Sequence, residues 1–556
     1  MRLSRLPALL LLALAACTAD TRTPRDNDAE APDSARYGGT LVIPDSARYG
    51  GTLVIGAASD IGDMNPLTWN VQNALYMQES VLFTPLIAYD SALKPVPRLA
   101  RSWEVNADTT LLTFHLRDDV WWQDGVRTSA HDVKFTYDLL RNPKTGYIYS
   151  GLWTFYGEAE APDSFTFRIR LRPHAEFMDV WRTLAPVPGH VLRGVPPERL
   201  AGHPFGTRSP VGNGPFRFVS RRPGQEWVFA ANPRWPKELG GRPYVDRLVY
   251  RVVPEPATLL TELETGAIDL QPGMPPQFAP RVRAFSRARL VDYPDLSYEH
   301  IIWNTRRPPF DDARVRRAMT RAIDREGLVR AVRAGYARVA NSTVSPELWM
   351  HDPAAGAGMG YDTAASRRLL AEAGYADRDG DGVLEAEDGR PLRFTLKVPH
   401  GNRERRDNAE IVQSELRKVG VAVEVREVEF NSLIAQISNP RSRDFDAVLV
   451  GWKPEFKLDD SDLYACSKRD QPLAWSGYCD PEADRLMDSV QIVADRAAAL
   501  PLWKRYQALI ARDQPVTLLY FTNRLVGVNR RVQNVHLDAR GDWVDIDRWW
   551  ITPSLR

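Results

Sequence analysis

The sequence predicts an α/β fold, and three consecutive stretches in its C-terminal half carry that prediction. Residues 392–398 alternate apolar and polar side chains, residues 408–419 repeat apolar side chains with a helical period, and residues 421–425 alternate again. Alternation indicates a half-buried strand, and the longer period indicates an amphipathic helix. A strand, a helix and a strand in this order form a β-α-β unit with a right-handed crossover, so the two strands are expected to be parallel. A short helix near 431–437 and a strand at 445–452 continue the same sheet.

Two candidate ligand-binding residues lie at the end of the strand at 445–452 and just after it. Its centre is the continuous apolar run AVLV, which favours a strand buried on both faces. The next residues are GWKPE, and they include Trp452 and Glu455. Open α/β sheets bind ligands in the crevice beyond the carboxyl ends of their strands, so both side chains are candidates for contact with a ligand. The alternative is that Trp452 belongs to the rim of the core and Glu455 is a solvated surface charge.

Two further elements precede this region. Residues 112–116 alternate as a half-buried strand, and a helix is predicted over 129–140 with Ser129 as its N-cap. Farther along, Asp311 or Asp312 can cap a helix whose apolar side chains share one face; this helix is predicted to end at Gly335.

Length and composition indicate a globular protein of two or three domains. The chain has 556 residues, of which 44% are hydrophobic and 26% are charged. A net charge of +1 gives no general attraction for nucleic acid or for an anionic membrane. The three cysteines are too few for a disulfide framework and do not have the spacing of a zinc site.

The N-terminus predicts export from the cytoplasm. Two arginines precede an apolar stretch at residues 8–16, and Cys17 follows it, which is the pattern of a secretory signal peptide over 1–17. The letters LAAC at 14–17 resemble the bacterial lipobox, in which the cysteine is lipidated and becomes the first mature residue. The alternative is a plain signal peptide with an incidental cysteine. No other run is long and apolar enough to cross a membrane as a helix.

A tether is predicted between the signal peptide and the folded body. Residues 18–49 are rich in Asp, Ala, Pro, Thr and Arg and cannot bury enough apolar surface to order themselves. The segment PDSARYGGTLVI occurs twice, at 32–43 and at 44–55. Two copies of twelve residues are not a repeat architecture, so they indicate a duplication. Only the second copy continues into the body, and it is expected to contain the first strand.

A series of motifs from Pro95 onward resembles one family. The run PVPRLARSWEV begins at Pro95, and the later blocks are PVGNGPF at 210–216, NPRW at 232–235, LETGAIDL at 263–270, WNTRRPPFDDARVRRAMTRAID at 303–324 and GYCDP at 477–481. Their joint order is similar to that of the extracytoplasmic solute-binding proteins of ABC transporters, in the peptide, nickel and oligopeptide-binding family (family 5).

The resemblance implies an α/β, periplasmic-binding-protein-like (type II) fold of two lobes with an inserted third domain and a hinge. The first lobe would contain residues 50–80, 207–295 and 525–556, the inserted domain 81–206, and the second lobe 296–524. The chain would cross between the lobes near 295 and 525, and the lobes would close around a ligand by bending there.

The resemblance also implies a function. The expected protein is a monomeric, lipid-anchored, extracytoplasmic receptor that delivers an oligopeptide or dipeptide to an ABC permease. Peptide-binding members hold the α-ammonium of the ligand with an acidic residue three positions after the GW tryptophan, where this chain has Glu455. Asp60, Gly62 and Asp63 match another segment that lines the cleft. The alternatives are a non-peptide solute, such as a nickel chelate or a sugar oligomer, and a signalling or chaperone-like binder.

The sequence contains no catalytic motif of the hydrolase, metalloprotease or nucleotide-binding kinds, so an extracellular hydrolase is the less favoured alternative. One possible metal site occurs in DRDGDGVLEAED at 377–388. No cofactor other than this ion is expected. Calcium loops take ligands from positions one, three, five, seven and twelve. These positions hold Asp377, Asp379, Asp381, the carbonyl of Val383, and Asp388. The alternative is a polar turn without an ion.

Cys466 and Cys479 are the two thiols that remain after removal of the signal peptide and lipidation of Cys17. Disulfides persist in oxidising compartments outside the cytoplasm, so we expect these two cysteines to be bonded to each other. The alternative is a pair of buried free thiols.

Overall fold

The computed structural model describes residues 45–68, 72–147 and 150–556. Residues 48–556 form one compact unit, which contains every element discussed below. The predicted signal peptide, Cys17, the first copy of the duplicated segment and most of the predicted tether lie outside the described residues.

The strands of the described chain are β1 (Thr52–Ala57), β2 (Ile87–Tyr89), β3 (Pro95–Pro97), β4 (Ala100–Val105), β5 (Leu111–Leu116), β6 (Tyr156–Glu160), β7 (Thr166–Leu171), β8 (Phe216–Arg222), β9 (Glu226–Ala231), β10 (Arg247–Val252), β11 (Leu270–Gln271), β12 (Ala288–Trp303), β13 (Ala337–Val339), β14 (Arg393–Pro399), β15 (Ala422–Val428), β16 (Ala447–Trp452), β17 (Val516–Asn529), β18 (Val532–Gln533) and β19 (Trp550–Ile551).

The α-helices are α1 (Gln72–Met77), α2 (Ala130–Arg141), α3 (Gly189–Leu192), α4 (Pro204–Thr207), α5 (Pro256–Thr265), α6 (Ala279–Ala284), α7 (Ala313–Ala322), α8 (Arg325–Arg333), α9 (Thr363–Glu372), α10 (Arg403–Arg417), α11 (Phe430–Ser438), α12 (Ser461–Tyr464), α13 (Pro481–Ile492) and α14 (Arg496–Asp513).

One large mixed sheet organises the molecule. Ten of its eleven strands follow the order β15-β14-β16-β12-β17-β11-β1-β10-β9-β8, and β13 pairs with β17 beside this path. β14 is parallel to both β15 and β16, as the β-α-β pattern predicted, and β1 is parallel to β10 and β11. A separate antiparallel sheet, β4-β5-β7-β6, lies within residues 100–171.

Two long strands connect the halves of the large sheet. β12 and β17 pair over most of their length, and their register shifts between Pro294 and Tyr298. Before the shift β17 also pairs with β11, and after it β12 also pairs with β16. The register break lies next to residue 295, where the sequence analysis placed one of the chain crossings. The division into segments at 295 and 525 stays a prediction.

The apolar run of β16 is explained by cores on both faces of the sheet. Val448 and Val450 contribute to one cluster of buried side chains, and Ala447 and Leu449 contribute to another. A strand with both faces buried has no need of alternating polarity. A third, larger cluster joins β1 and β10 to the four-stranded sheet.

The prediction of a single helix from Asp312 to Gly335 is wrong in one respect, because the structure has two helices, α7 and α8, in this range. Ile323 ends α7 in an extended conformation, and the side chain of Asp324 accepts a hydrogen bond from the Gly327 amide to cap α8. Asp312 caps α7 through the Arg314 amide, as expected. The helix predicted over 408–419 begins earlier, at Arg403, since Asn402 caps it. β1 begins in the second copy of the duplicated segment and ends two residues beyond it.

Candidate functional site

The end of β16 is closely packed. Gly451 lies beside the ion pair between Glu299 and Arg405, whose two hydrogen bonds measure 2.9 and 3.0 Å. A Cβ at Gly451 would come within 2.5 Å of the Arg405 guanidinium and 2.6 Å of the Glu299 carboxylate. Only glycine therefore fits before Trp452 without displacing this pair.

Trp452 is half-buried and packs against a second tryptophan. Its ring meets Trp475 edge to face, with centroids 5.8 Å apart. A small cavity next to them is lined by Trp452, Trp475, His300, Ile302, Leu463, Tyr464, Leu473, Ser476 and Val516. Nδ1 of His300 is buried without a hydrogen-bond partner in the described chain, and burial lowers the pKa of this imidazole to about 3. His300 is therefore neutral at physiological pH, and the wall behind Trp452 is aromatic and uncharged.

Glu455 contacts a cation that belongs to the protein itself. Its Oε2 accepts a hydrogen bond of 3.0 Å from Arg182, and its side chain is 57% exposed. The Arg182 guanidinium also lies 4.9 Å from the centre of the Phe456 ring and 3.5 Å from the carboxylate of Glu79. Glu455 therefore lies at a junction between β16 and residues that are distant in sequence.

Acidic groups outnumber basic ones around Arg182. Burial by itself lowers the pKa of Arg182, but the carboxylates of Glu79, Glu455 and Asp179 together raise it above its ordinary value. Burial raises the pKa of Glu79 to about 7, against the opposing effect of Arg182. Three carboxylates thus surround one guanidinium, which gives this part of the protein a negative character once Glu79 is ionised.

Lys453 forms a second contact with residues that are distant in sequence. Its Nζ donates to the Tyr76 hydroxyl at 2.8 Å and lies 3.1 Å from Oδ1 of Asp295, next to the register break of β12. Burial acts to lower the pKa of Lys453, but the Asp295 carboxylate and the hydrogen bond with Tyr76 raise it overall. Lys453 is therefore a charged group held by the protein.

Asp60 and Asp63 belong to the loop after β1. Asp60 accepts hydrogen bonds from the Trp227 indole at 2.6 Å and from the Gly224 and Gly62 amides at 2.8 and 3.1 Å, and it lies 3.3 Å from Arg221. Oδ1 of Asp63 accepts a hydrogen bond of 2.7 Å from the backbone amide of Asn65. Gly62 has a φ of +81°, which glycine adopts without strain. Both carboxylates thus hold the loop, and their contact with a ligand stays a prediction.

The comparisons with known proteins identify the family. The model described as bacterial extracellular solute-binding proteins, family 5 Middle, matches residues 94–472. The chain belongs to this family. The oligopeptide-binding protein AppA of Bacillus subtilis is 29% identical over 99% of this chain and 98% of its own length. The dipeptide-binding protein of Escherichia coli is 23% identical over 83% of this chain and 90% of its own length.

Solved structures of family 5 proteins share the architecture. The structure of Bacillus subtilis AppA in complex with a nonapeptide has a TM-score of 0.76 and covers 91% of this chain and 99% of its own, at 29% identity. The structure of the Listeria monocytogenes substrate-binding protein CtaP has a TM-score of 0.80 at 22% identity. It covers 91% of this chain and 100% of its own. The chain therefore has the two-lobed type II fold that the sequence motifs implied.

This family 5 protein has a disulfide in the segment that follows β16. The structure joins Cys466 to Cys479, with an S–S distance of 2.07 Å. The loop that this bond closes contains Trp475, the residue packed against Trp452. The bond thus fixes one wall of the small cavity.

Three of the four side chains predicted to bind calcium in the acidic loop at 377–388 lie together, and a fourth carboxylate that was not predicted joins them. Carboxylate oxygens of Asp377, Asp379, Asp381 and Glu385 all lie within 4.8 Å of one another. Asp388 instead pairs with Arg390 at 2.6 Å, because this arginine is two residues away on the same turn. Glu385 occupies the ninth position of the loop, and its convergence with three aspartates fits a hard cation that takes oxygen ligands.

Several residues of this family 5 site could not be recognised in the sequence. Arg182 lies 273 positions before Glu455, Glu79 lies farther still, and neither is part of a motif. Asp460, which follows β16, is also part of the core: it accepts hydrogen bonds from Thr343 and Tyr506 at 2.8 and 3.0 Å, and burial raises its pKa to about 6. In the described residues, no helix is long and apolar enough to span a membrane.

Proposed function

We propose that the chain is a receptor for short peptides that passes its ligand to an ABC permease. The proposal is carried by the match of family 5 to residues 94–472. It is supported by the resemblance over nearly the whole chain to a protein named for oligopeptide binding. An extended peptide exposes backbone groups that a protein can pair as an added strand, and an aromatic wall such as that of Trp452 and Trp475 suits apolar side chains.

The receptor performs no chemistry of its own in this proposal, because solute-binding proteins retain and release their ligands unchanged. It works outside the cytoplasm as a monomer and is held at the membrane by acyl chains on Cys17. The support for this anchor is the LAAC motif after an apolar run. One acyl chain gives only marginal membrane binding, so the anchor requires more than one.

Glu455 is proposed to bind a cationic group of the peptide, the α-ammonium first of all. Arg182 contacts only Oε2 of Glu455, and an ionised carboxylate has two oxygens with four lone-pair sites. A half-exposed carboxylate that already has one partner gains less from a second than a buried one does. We therefore expect Glu455→Gln to weaken binding of a free peptide by about tenfold.

Calorimetric titration of purified protein with peptides of two to nine residues tests the receptor. A nickel–histidine chelate and a sugar oligomer serve as non-peptide ligands. Micromolar or tighter binding of peptides alone supports the proposal, and binding of only the chelate or the sugar contradicts it. A panel of peptide and ester substrates checks that the bound compounds are released intact.

The role of Glu455 is tested with N-acetylated peptides. If Glu455 binds the α-ammonium, acetylation and Glu455→Gln should each weaken binding, and the two changes together should cost little more than one. Trp452→Ala should weaken free and acetylated peptides equally, because it removes contact area rather than charge. Equal losses that add fully would show that Glu455 does not contact the amino terminus.

A further inference from the structure

A short segment of the chain, residues 174–182, contacts the region beyond β16 and the adjoining ends of α13 and α14. The backbone amide of Ala175 donates a hydrogen bond of 2.7 Å to the carbonyl of Gln491. The carboxylate of Glu176 accepts two hydrogen bonds from Arg496, at 2.8 and 2.9 Å. At the other end of the segment, Arg182 donates to Glu455 at 3.0 Å. We call residues 174–182 the clasp.

The two ion pairs of the clasp have opposite polarity. The clasp supplies the acid in the pair with Arg496 and the base in the pair with Glu455. Any shift of the clasp that exchanged these partners would bring Glu176 toward Glu455 and Arg182 toward Arg496. Like charges in contact are unfavourable, so the two ion pairs favour a single register of the clasp against its neighbours.

The backbone of the clasp is held in an uncommon conformation. Glu176 has a φ of +49°, in the left-handed region that residues with a Cβ seldom adopt. Such a conformation persists where the surrounding contacts maintain it. The contacts here are the paired hydrogen bonds to Arg496 and the adjacent bond from Ala175, and both join residues more than 300 positions apart.

Aromatic rings flank the ion pairs. Tyr89 meets Phe456 edge to face, with centroids 5.3 Å apart, and the Arg182 guanidinium lies over the Phe456 ring. The Lys457 ammonium lies 5.2 Å from the centre of the Phe155 ring. These rings exclude water from part of the contact, which strengthens the neighbouring charge pairs.

We propose that the clasp is a latch that stabilises the closed arrangement of the lobes. It forms on closure and is lost on opening, while the sheet strands β12 and β17 keep the lobes connected. A protein whose binding-competent closed state is more populated binds its ligand more tightly, so the clasp also sets solute affinity. This second consequence rests on the proposed function, whereas the latch itself does not.

The test compares four proteins: the parent, Arg496→Ala, the exchanged pair Glu176→Arg with Arg496→Glu, and the control Arg505→Ala. Arg505 lies on the same helix as Arg496 and pairs with Glu482 at 2.8 Å, but this pair connects only α13 and α14. Small-angle X-ray scattering without ligand measures the radius of gyration, and peptide titration measures affinity.

We expect Arg496→Ala to increase the radius of gyration of the ligand-free molecule and to weaken peptide binding about two- to fivefold. This factor corresponds to the stabilisation that a partly exposed ion pair ordinarily gives. The exchanged pair should recover part of the compactness and part of the affinity that Arg496→Ala loses. Arg505→Ala should match the parent in both measurements. The difference between the parent and Arg496→Ala should shrink at 1 M salt, where charges are screened.

The proposal is overturned if Arg496→Ala scatters and binds as the parent does, or if the exchanged pair is as open as the single variant. If the parent binds no peptide, the proposed function fails, but scattering still decides whether the clasp holds the lobes together. If the parent binds peptide and Arg496→Ala leaves both measurements unchanged, only the clasp is refuted.

Discussion

Glu79 gives the protein a pH dependence whose direction and size follow from its surroundings. Burial raises the pKa of this carboxyl from 4.5 to about 7. Between these values the folded chain holds a proton that the unfolded chain has lost, so stability falls as the pH rises. The penalty is absent below about pH 4.5 and complete above about pH 7. At about 1.4 kcal/mol for each pH unit it amounts to about 3 kcal/mol, and the 23% exposure of the side chain reduces this to about 1–3 kcal/mol.

Replacement of Glu79 by glutamine should remove this penalty. Relative to the parent, Glu79→Gln should therefore gain about 1–2 kcal/mol in unfolding free energy when the pH is raised from 5 to 8, since part of the penalty is already present at pH 5. Urea denaturation at both pH values measures the change. Arg182→Gln is the matched control, because it removes the charge that opposes the rise and should make the loss of stability steeper. If Glu79→Gln and the parent change equally between the two pH values, the account of Glu79 is refuted.

Three further predictions concern other parts of the chain. Reduction of the Cys466–Cys479 bond should lower the unfolding free energy by about 3 kcal/mol, the chain-entropy value for a loop of this size, and two labels added to the unreduced, unfolded chain would show that no bond exists. Millimolar calcium should raise the melting temperature above that in EDTA, and Asp381→Asn should abolish most of the increase; equal melting temperatures would exclude the ion. Cys17→Ser should release the protein from membranes, and continued sedimentation with them would place the anchor elsewhere.

The sequence predicted the elements that are determined by a local pattern. The AVLV run of β16 is buried on both faces, so its composition was sufficient evidence for a central strand. The β-α-β unit of β14, α10 and β15 was visible because its strands alternate and its helix has an apolar face. Ser129, which caps α2 in a capping box with Asp132, was equally evident from residue type and spacing.

The errors occurred where polar side chains determine the structure. α10 begins five residues before the predicted start because its first turn is RERRD, which has no apolar period to recognise. The break between α7 and α8 depends on the Asp324 side chain, which caps a helix in the middle of an apparently continuous apolar face. A single side-chain hydrogen bond outweighed the pattern at that position.

The surroundings of the candidate site could not be predicted for a different reason. Arg182 meets Glu455 across 273 positions of the chain, and Lys453 meets Tyr76 across 377. No periodicity or motif relates residues at such distances, since the contact depends on how distant parts of the chain pack together. The sequence could indicate which side chains follow β16, but not which charges they meet.

The disulfide has a consequence for where the binding site matures. Trp475 lies inside the ring of chain that Cys466 and Cys479 close, and it forms the wall against which Trp452 packs. Such a bond does not persist in the reducing cytoplasm. A chain folded there would have its sheet and helices in place while the loop behind Trp452 was still free to rearrange. The site would therefore reach its final shape only after export, in the compartment where the solute is encountered.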